Sequence, residues 1–323
     1  MLPRMNPGTK TPSNLAPALL VAAVLLWSGN FIAGRAMGDS VSALGLNVWR
    51  WSLAFAVLVP LASLEMRRHA RDILAAWKYL AMLGLTGVAA FHFFVYKALE
   101  HTAATNALLV LSTAPALIML LSRVVLRDSI APHQWLGIVI SFAGALVLIC
   151  RGDMEALHAL QPGRGEMWML AAVPAWAVYS VLLKMRPQAL PQRSTLTVST
   201  AMGLLWMAPL VAASPGALQV PWTPALAAGI GYIAIGASVV AFLCWNRGVA
   251  LVGPARAGVY IHLMPLFGAA LAFVLLGEAL RLYHALGAAL VFAGVALTQS
   301  RINGRFESVL ARLPGIGDVI QIG

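Results

Sequence analysis

The chain has 323 residues, 60% of them hydrophobic and 10% charged, with a formal net charge of +11. Soluble domains carry about 25% charged residues, so there is too little charge here to cover a water-facing surface, and a soluble fold is excluded. The basic excess is spread over many short connections rather than gathered in one patch, which points to the lipid bilayer and not to nucleic acid as a partner.

Ten apolar segments follow one another, at roughly 17–38, 42–63, 77–98, 102–122, 133–150, 167–186, 194–213, 224–248, 254–277 and 281–300. Each approaches the ~20 residues that cross a hydrocarbon core of ~30 Å. The expected architecture is an all-α membrane protein of ten transmembrane helices. Residues 1–16 read as a cytoplasmic tail and not as a cleaved leader, because segment 1 is full length and carries Arg35 where a small-residue cleavage site is needed.

Segment 1 holds Trp27 and Asn30 at mid-depth. Arg50 lies about nine residues into segment 2, or roughly 13 Å along a helix. A charge that deep costs at least ~2.5 kcal/mol. It holds a substrate carboxylate, bonds neighbouring carbonyls, or snorkels to the outer interface. Segment 3 carries His92 and Tyr96, and segment 4 carries Asn106 and Thr113 in a run, LLVLSTAPALIMLL, interrupted by Pro115. A proline in a helix interior costs roughly 3 kcal/mol, so this one needs a reason. The stretch RGDMEALHALQPGRGE (151–166) reads as an extracytoplasmic loop between two units, 17–150 and 167–300.

In the second unit the polar and aromatic candidates are Trp176 and Tyr179 in segment 6, Trp245 and Asn246 in segment 8, and Tyr260, His262 and Pro265 in segment 9. Trp49, Trp51, Trp77 and Trp222 fit the interfacial belts that membrane tryptophans favour, whereas Trp27 and Trp176 lie deeper. The cytoplasmic tail 301–323 has Phe306, Val309, Leu310 and Leu313 at helical spacing, compatible with a short interfacial helix or with disorder. Cys150 and Cys244 show no metal or redox spacing, and neither a metal nor another cofactor is implied.

With the N-terminus inside, 16 of the 22 Lys and Arg residues fall on the cytoplasmic side and five on the other, with Arg50 within segment 2. This positive-inside bias supports ten spans with both termini cytoplasmic, in a cell or inner membrane.

The chain also repeats itself. At an offset of 150 residues Lys97 falls on Arg247, Ala107 on Ala257, Pro115 on Pro265, Gly137 on Gly287, and Phe142-Ala143-Gly144 on Phe292-Ala293-Gly294. At 149, Trp27 falls on Trp176 and Arg35 on Lys184. Five spans per copy is an odd number, so the second copy enters with opposite polarity, and two five-helix inverted repeats are expected. Such architectures place the substrate near the midplane between the repeats. The paired prolines free carbonyls near Leu111 and Ile261, with Ser112, Thr113 and His262 placed to satisfy them. Pro115 and Pro265 are therefore read as hinges, against the plainer reading of packing kinks.

These stretches resemble the EamA-type drug/metabolite transporters: LLWSGNFIAG (25–34), VYKALEHTAATNALLVLSTAP (95–115) and QWLGIVISFAGALVLI (134–149) in the first half, and AWAVYSVLLK (175–184), WNRGVALVGPARAGVYIHLMP (245–265), LLGEAL (275–280) and ALGAALVFAGVAL (285–297) in the second. The first half departs at Leu126-Arg127-Asp128, where the second keeps Leu276-Gly277-Glu278. The resemblance implies ten helices, cytoplasmic termini and a central cavity lined mainly by helices 1, 3, 4, 6, 8 and 9. It also implies movement of amino acids or other small metabolites, frequently outward, with one branch exporting aromatic amino acids.

All 11 carboxylates fall in loops, tails or segment ends. Export of organic cations, which usually needs a buried acid, is disfavoured, as is proton coupling through such an acid. His92 and His262 are left as the titratable groups at depth. Gly236-Ala237-Ser238-Val239 fits the loose GxSx pattern of intramembrane serine proteases, but a nucleophile needs a base within reach, and no repeated charged ring or filter suggests a channel. No catalytic residue is assigned. The expectation is a secondary transporter, monomer or weak homodimer, exporting or exchanging small neutral or zwitterionic metabolites, amino acids first, by alternating access. An importer of a sugar, nucleoside or related solute is the alternative.

Overall fold

The computed structural model describes residues 14–38, 40–150, 152, 163–214, 216–276 and 281–300. Nine helices among them are long and apolar enough to cross a bilayer: α1 (Leu15–Met37), α2 (Ala43–Arg68), α3 (Trp77–His101), α4 (Asn106–Leu126), α5 (Pro132–Ile149), α6 (Arg164–Lys184), α7 (Gln192–Ala212), α8 (Pro224–Val252) and α10 (Leu282–Gln299). The remaining passage, α9, covers 254–276 in three pieces: Pro254–Gly258, a tight 3₁₀ turn Val259–Leu263, and Met264–Leu276. A short helix, Ala70–Ala75, bridges α2 and α3. All ten expected segments are present.

Most of the expected tails and the 151–166 loop lie outside the described residues, as does the amphipathic stretch at 306–313. At two edges the structure differs. Leu15 and Ala16 already belong to α1. Residues 164–166 belong to α6 because Glu166 Oε2 accepts the Gly163 N–H at 3.0 Å, capping the helix start three residues early.

Glycines show how the halves are related. A Cβ built on Gly294 would lie 2.4 Å from the Gly137 carbonyl oxygen, and one on Gly287 would lie 3.0 Å from the Gly144 oxygen. Gly287 and Gly294 are the repeat counterparts of Gly137 and Gly144. Each glycine thus meets the counterpart of the other, the self-complementary contact of a two-fold axis. As α5 runs from 137 to 144, α10 runs from 294 back to 287, so the pair is antiparallel and the axis lies across the helices. That is the symmetry of an inverted repeat. Without a hydrophobic force between helices in lipid, this close approach of backbones is what holds the pair.

On the axis itself, residues touch their own counterparts. His262 Nε2 bonds the Ser112 carbonyl at 2.9 Å across 150 residues of sequence. The Trp27 and Trp176 rings meet edge to face, centroids 4.9 Å apart.

The prolines find their explanation at the same place. Helix α4 is interrupted at Ser112–Thr113 and restarts at Ala114 with Pro115 as its second residue, and the last part of α9 restarts at Met264 with Pro265 second. In a first turn the N–H that proline lacks has no intrahelical partner, so the interior penalty does not arise. The Ser112 and Thr113 hydroxyls bond back to Leu108 O at 2.8 Å and Val110 O at 2.7 Å. Each passage is two half-helices joined at a tight turn, and not one kinked helix.

A second pair of irregularities has no signal in the sequence. Helix α3 widens into π-turns over Gly84–Ala90 and α8 over Ile233–Val240, matching places in the two repeats. Wide turns expose carbonyls to side chains. Here the Gly87 oxygen meets His92 Nδ1 at 3.0 Å, and the Ala237 oxygen accepts Trp27 Nε1–H at 2.9 Å.

Candidate functional site

Where the repeats meet, rings from both halves close on one another. Trp27 of α1 contacts Trp176 of α6 and Phe242 and Trp245 of α8, with centroids 4.9 to 5.6 Å apart. Trp176 stacks on Tyr179 at 5.3 Å and packs on Phe91 of α3 at 4.7 Å. His92 and its repeat counterpart Phe242 are 5.7 Å apart. The cluster borders a cavity of about 20 Å³ lined by Trp27, Asn30, Phe31, Phe91, His92, Val95, Leu111, Trp176, Ile261 and Met264. That is room for about one water, so a metabolite enters only if the rings part. Helices α1, α3, α4, α6 and α9 supply the lining, as the family resemblance implies; α8 supplies rings behind the wall.

Two larger grooves, about 490 and 350 Å³, lie between α4, α5 and α6 and between α9 and α10. Leu266, Ala270 and Ala285 in the second sit at the counterpart positions of Ala116, Leu120 and Trp135 in the first. They form a symmetric pair of apolar flanks suited to lipid, away from the polar chemistry.

That chemistry centres on Arg50, which is fully buried. Its Nη1 donates to Tyr96 OH at 2.6 Å and to Asn30 Oδ1 at 3.2 Å, while Nε donates to Ser238 Oγ at 2.8 Å. Tyr96 OH in turn donates to Asn30 Oδ1 at 2.9 Å. The guanidinium carbon lies 5.2 Å from the Trp51 ring centre and 5.7 Å from that of Tyr96, distances at which ring quadrupoles attract a cation. Nη2 has no hydrogen-bond partner among the described residues. Snorkelling is thereby excluded, since the head is held inside by neutral oxygens of α1, α3 and α8. No carboxylate is among its bonding partners.

The second half has a matching bond with its partners exchanged. Tyr179 of α6, at the counterpart place of Asn30, donates its OH to Asn246 Oδ1 of α8, the counterpart of Tyr96, at 2.9 Å. His262 stays on the axis, with Nδ1 2.6 Å from Ser141 Oγ and Nε2 on Ser112 O.

Three sequence candidates stand apart from this cluster. Asn106 Nδ2 reaches Thr102 Oγ1 and Glu166 Oε1, both at 3.3 Å, at the α3–α4 turn. Thr113 is exposed in the flank groove beside Leu117 and Trp135. Tyr260 is buried in the 3₁₀ turn of α9 beside cavity-lining Ile261, outside the ring contacts found among the described residues. Trp49 behaves as a belt residue, its Nε1–H on Leu218 O at 3.0 Å and its ring against Trp222. Trp51 does not: it is fully buried against Phe242 and His92. Phe91 and Phe242 are not marked in the sequence, because an apolar ring in an apolar helix carries no contrast. The repeat register, which lays His92 on Phe242, was the available clue. Ser238, the GxSx serine, gives its proton to Ile233 O at 2.9 Å and accepts from Arg50, so no base attends it.

The two membrane faces differ. On the face where α1 ends, Arg35 Nη1 donates to Leu99 O at 2.9 Å, Glu100 Oε1 accepts from Ala43 N at 2.9 Å, and Thr102 Oγ1 donates to Glu166 Oε1 at 2.5 Å. On the opposite face a polar recess of about 180 Å³ lies among Asp128, Ser129, Lys184 and Arg256.

Comparison with known proteins agrees with this architecture. The EamA-like transporter family matches residues 14–150 and again 163–299. An uncharacterized transporter of Archaeoglobus fulgidus is 28% identical over 88% of this chain and 96% of its own. The uncharacterized transporter YyaM of Bacillus subtilis is 28% identical over 79% and 83%. A protein of Streptantibioticus cattleyicolor named a probable terminal-alkyne amino-acid exporter is 28% identical over 88% and 94%. A protein of known crystal structure superposes with a TM-score of 0.70 at 22% identity, covering 88% of this chain and 97% of that one, which supports the fold. The chain is a multi-pass membrane transporter, not an enzyme, and belongs to the EamA-like transporter family.

Proposed function

We propose that the protein is an alternating-access carrier for small neutral or zwitterionic metabolites, amino acids foremost, acting as an exporter or exchanger in a cell or inner membrane with both termini cytoplasmic. The observation that carries this reading is the ring-and-amide cluster on the two-fold axis, lined by both repeats and enclosing about 20 Å³. A site on the axis is the one place each repeat can present to opposite sides by rocking against the other. The hydrogen bonds that tie α1, α2 and α3 together at Arg35 and Glu100, and the recess at Lys184 on the other face, fit a carrier with one gate shut. The interruptions of α4 and α9, bonded to each other through His262 and Ser112, are where bending would concentrate. An amino-acid substrate also accords with the name of the Streptantibioticus cattleyicolor relative.

Counterflow in proteoliposomes tests this. Vesicles are preloaded with unlabelled solute and given a trace of labelled solute outside, without an ion gradient. Transient accumulation of one or more amino acids is expected. Counterflow of sugars or nucleosides alone would overturn the substrate class and favour the importer-type alternative.

A further inference from the structure

We infer that the cavity reads a zwitterion at two fixed points, with Asn30 Nδ2 donating to the substrate carboxylate and His92 Nε2 accepting from its ammonium, and with Arg50 and Tyr96 as positioning residues. This rests on the amino-acid reading above and goes further by assigning each end of the solute to an atom.

An asparagine in a cavity wall can present either its oxygen or its amide protons. Asn30 has no such freedom. Its Oδ1 accepts from both Tyr96 OH and Arg50 Nη1. A flipped amide would set NH₂ against a guanidinium that can only donate. The carboxamide is therefore locked with Nδ2 outside that network, in a residue that lines the cavity, and Nδ2 bonds no other group among the described residues. It offers two donors to an acceptor in the cavity.

His92 is fixed by the same logic with the sign reversed. The Gly87 carbonyl can only accept, so Nδ1 carries the proton. The neutral ring then leaves Nε2 as an acceptor, in a side chain that also lines the cavity. One wall thus offers a locked donor and a locked acceptor, between faces of Trp27, Phe91 and Trp176 that suit an apolar side chain.

Charge points the same way. Buried cations in proteins are normally paired, yet among the described residues Arg50 is bonded to hydroxyl and amide oxygens alone and its Nη2 is unbonded. A carboxylate held by Asn30 would place the missing negative charge one residue from the guanidinium, where low dielectric makes the attraction strong. Among the described residues no cation bonds to the matching pair of the second half, Tyr179 and Asn246. The carboxylate end therefore belongs to the first repeat.

The test is competition in counterflow by a matched series: L-phenylalanine, L-phenylalaninamide and 3-phenylpropanoate. In the wild type the amide and the deaminated acid are each expected to compete at least ~10-fold more weakly than the amino acid, about 1.4 kcal/mol. Asn30→Ala and Arg50→Gln should erase the amide penalty and keep the deamination penalty; His92→Phe should do the reverse. Should Arg50→Gln fail to fold, Asn30→Asp serves instead. It keeps the side-chain volume, pairs with Arg50 and should invert the preference toward the amide. Equal competition by all three compounds in a wild type that counterflows amino acids would overturn this inference alone. So would variants that lower all three equally, the mark of a structural role. Counterflow of sugars or nucleosides without any amino acid, or of nothing at all, would overturn both this inference and the reading it rests on.

Discussion

The two repeats share a frame and differ in charge. Each ties its first helix to its third by a Tyr–Asn hydrogen bond, Tyr96 to Asn30 in one and Tyr179 to Asn246 in the other, with donor and acceptor exchanged between helices. Among the described residues, the first alone adds a cation. Arg50 falls on Ser199, whose Oγ merely bonds back to Leu196 O at 3.0 Å. The faces diverge in the same manner: Arg35 closes on Leu99 O, while its counterpart Lys184 borders an open recess. Residues that set backbone geometry, the paired prolines and glycines, are kept in both copies, because both must cross the bilayer and pack alike. The polar residues beside the cavity differ between the copies: Asn30, Arg50 and His92 have Tyr179, Ser199 and Phe242 at the counterpart positions.

Substitutions break this comparison in graded ways. The largest effect is expected where the shared frame is closest. Gly294→Leu drives a side chain into the Gly137 backbone, which cannot yield, and overpacking of that kind costs about 3 kcal/mol. A large drop in folded yield and in the detergent melting temperature checks it. Arg50→Met should spare the fold, since Tyr96 keeps its bond to Asn30 and Ser238 its bond to Ile233 O once the guanidinium is gone, but lower counterflow by about 100-fold, or ~2.7 kcal/mol. A folded Arg50→Met variant with undiminished counterflow would show that transport does not need the cation.

The exchanged tyrosines sharpen the contrast further. Tyr96→Phe strands a guanidinium donor, a bond worth about 1.5–3 kcal/mol, whereas Tyr179→Phe loses a neutral one, about 0.5–1.5 kcal/mol. Paired thermal melts should rank them in that order. Thr113→Ala, on the lipid-facing flank, is expected within about 0.5 kcal/mol of the wild type, as exposed substitutions usually are.

Much of the frame was legible in the sequence because proline, glycine and tryptophan recur at one offset where ordinary apolar residues carry no register. Arg50, Asn30, His92 and Tyr96 were legible as polar groups at depth. The exchanged Tyr–Asn bonds were hidden, since Asn30 aligned on Tyr179 looks like divergence until the hydrogen bonds are seen. The π-turns left no compositional trace, and Trp51, beside a charged residue, resembled a belt tryptophan. That Asn106 stands apart from the cluster was hidden too, since the α3–α4 turn runs past Thr102 and draws its amide to Glu166.

The central claim, that transport happens at the axis where the repeats meet, is tested most directly by counterflow of one transported amino acid in three matched preparations: wild type, Trp176→Ala and Thr113→Ala. Trp176→Ala is expected to lose counterflow while folding normally, and Thr113→Ala to keep it. Normal counterflow in Trp176→Ala together with loss in Thr113→Ala would move the pathway to the lipid-facing groove and contradict the account.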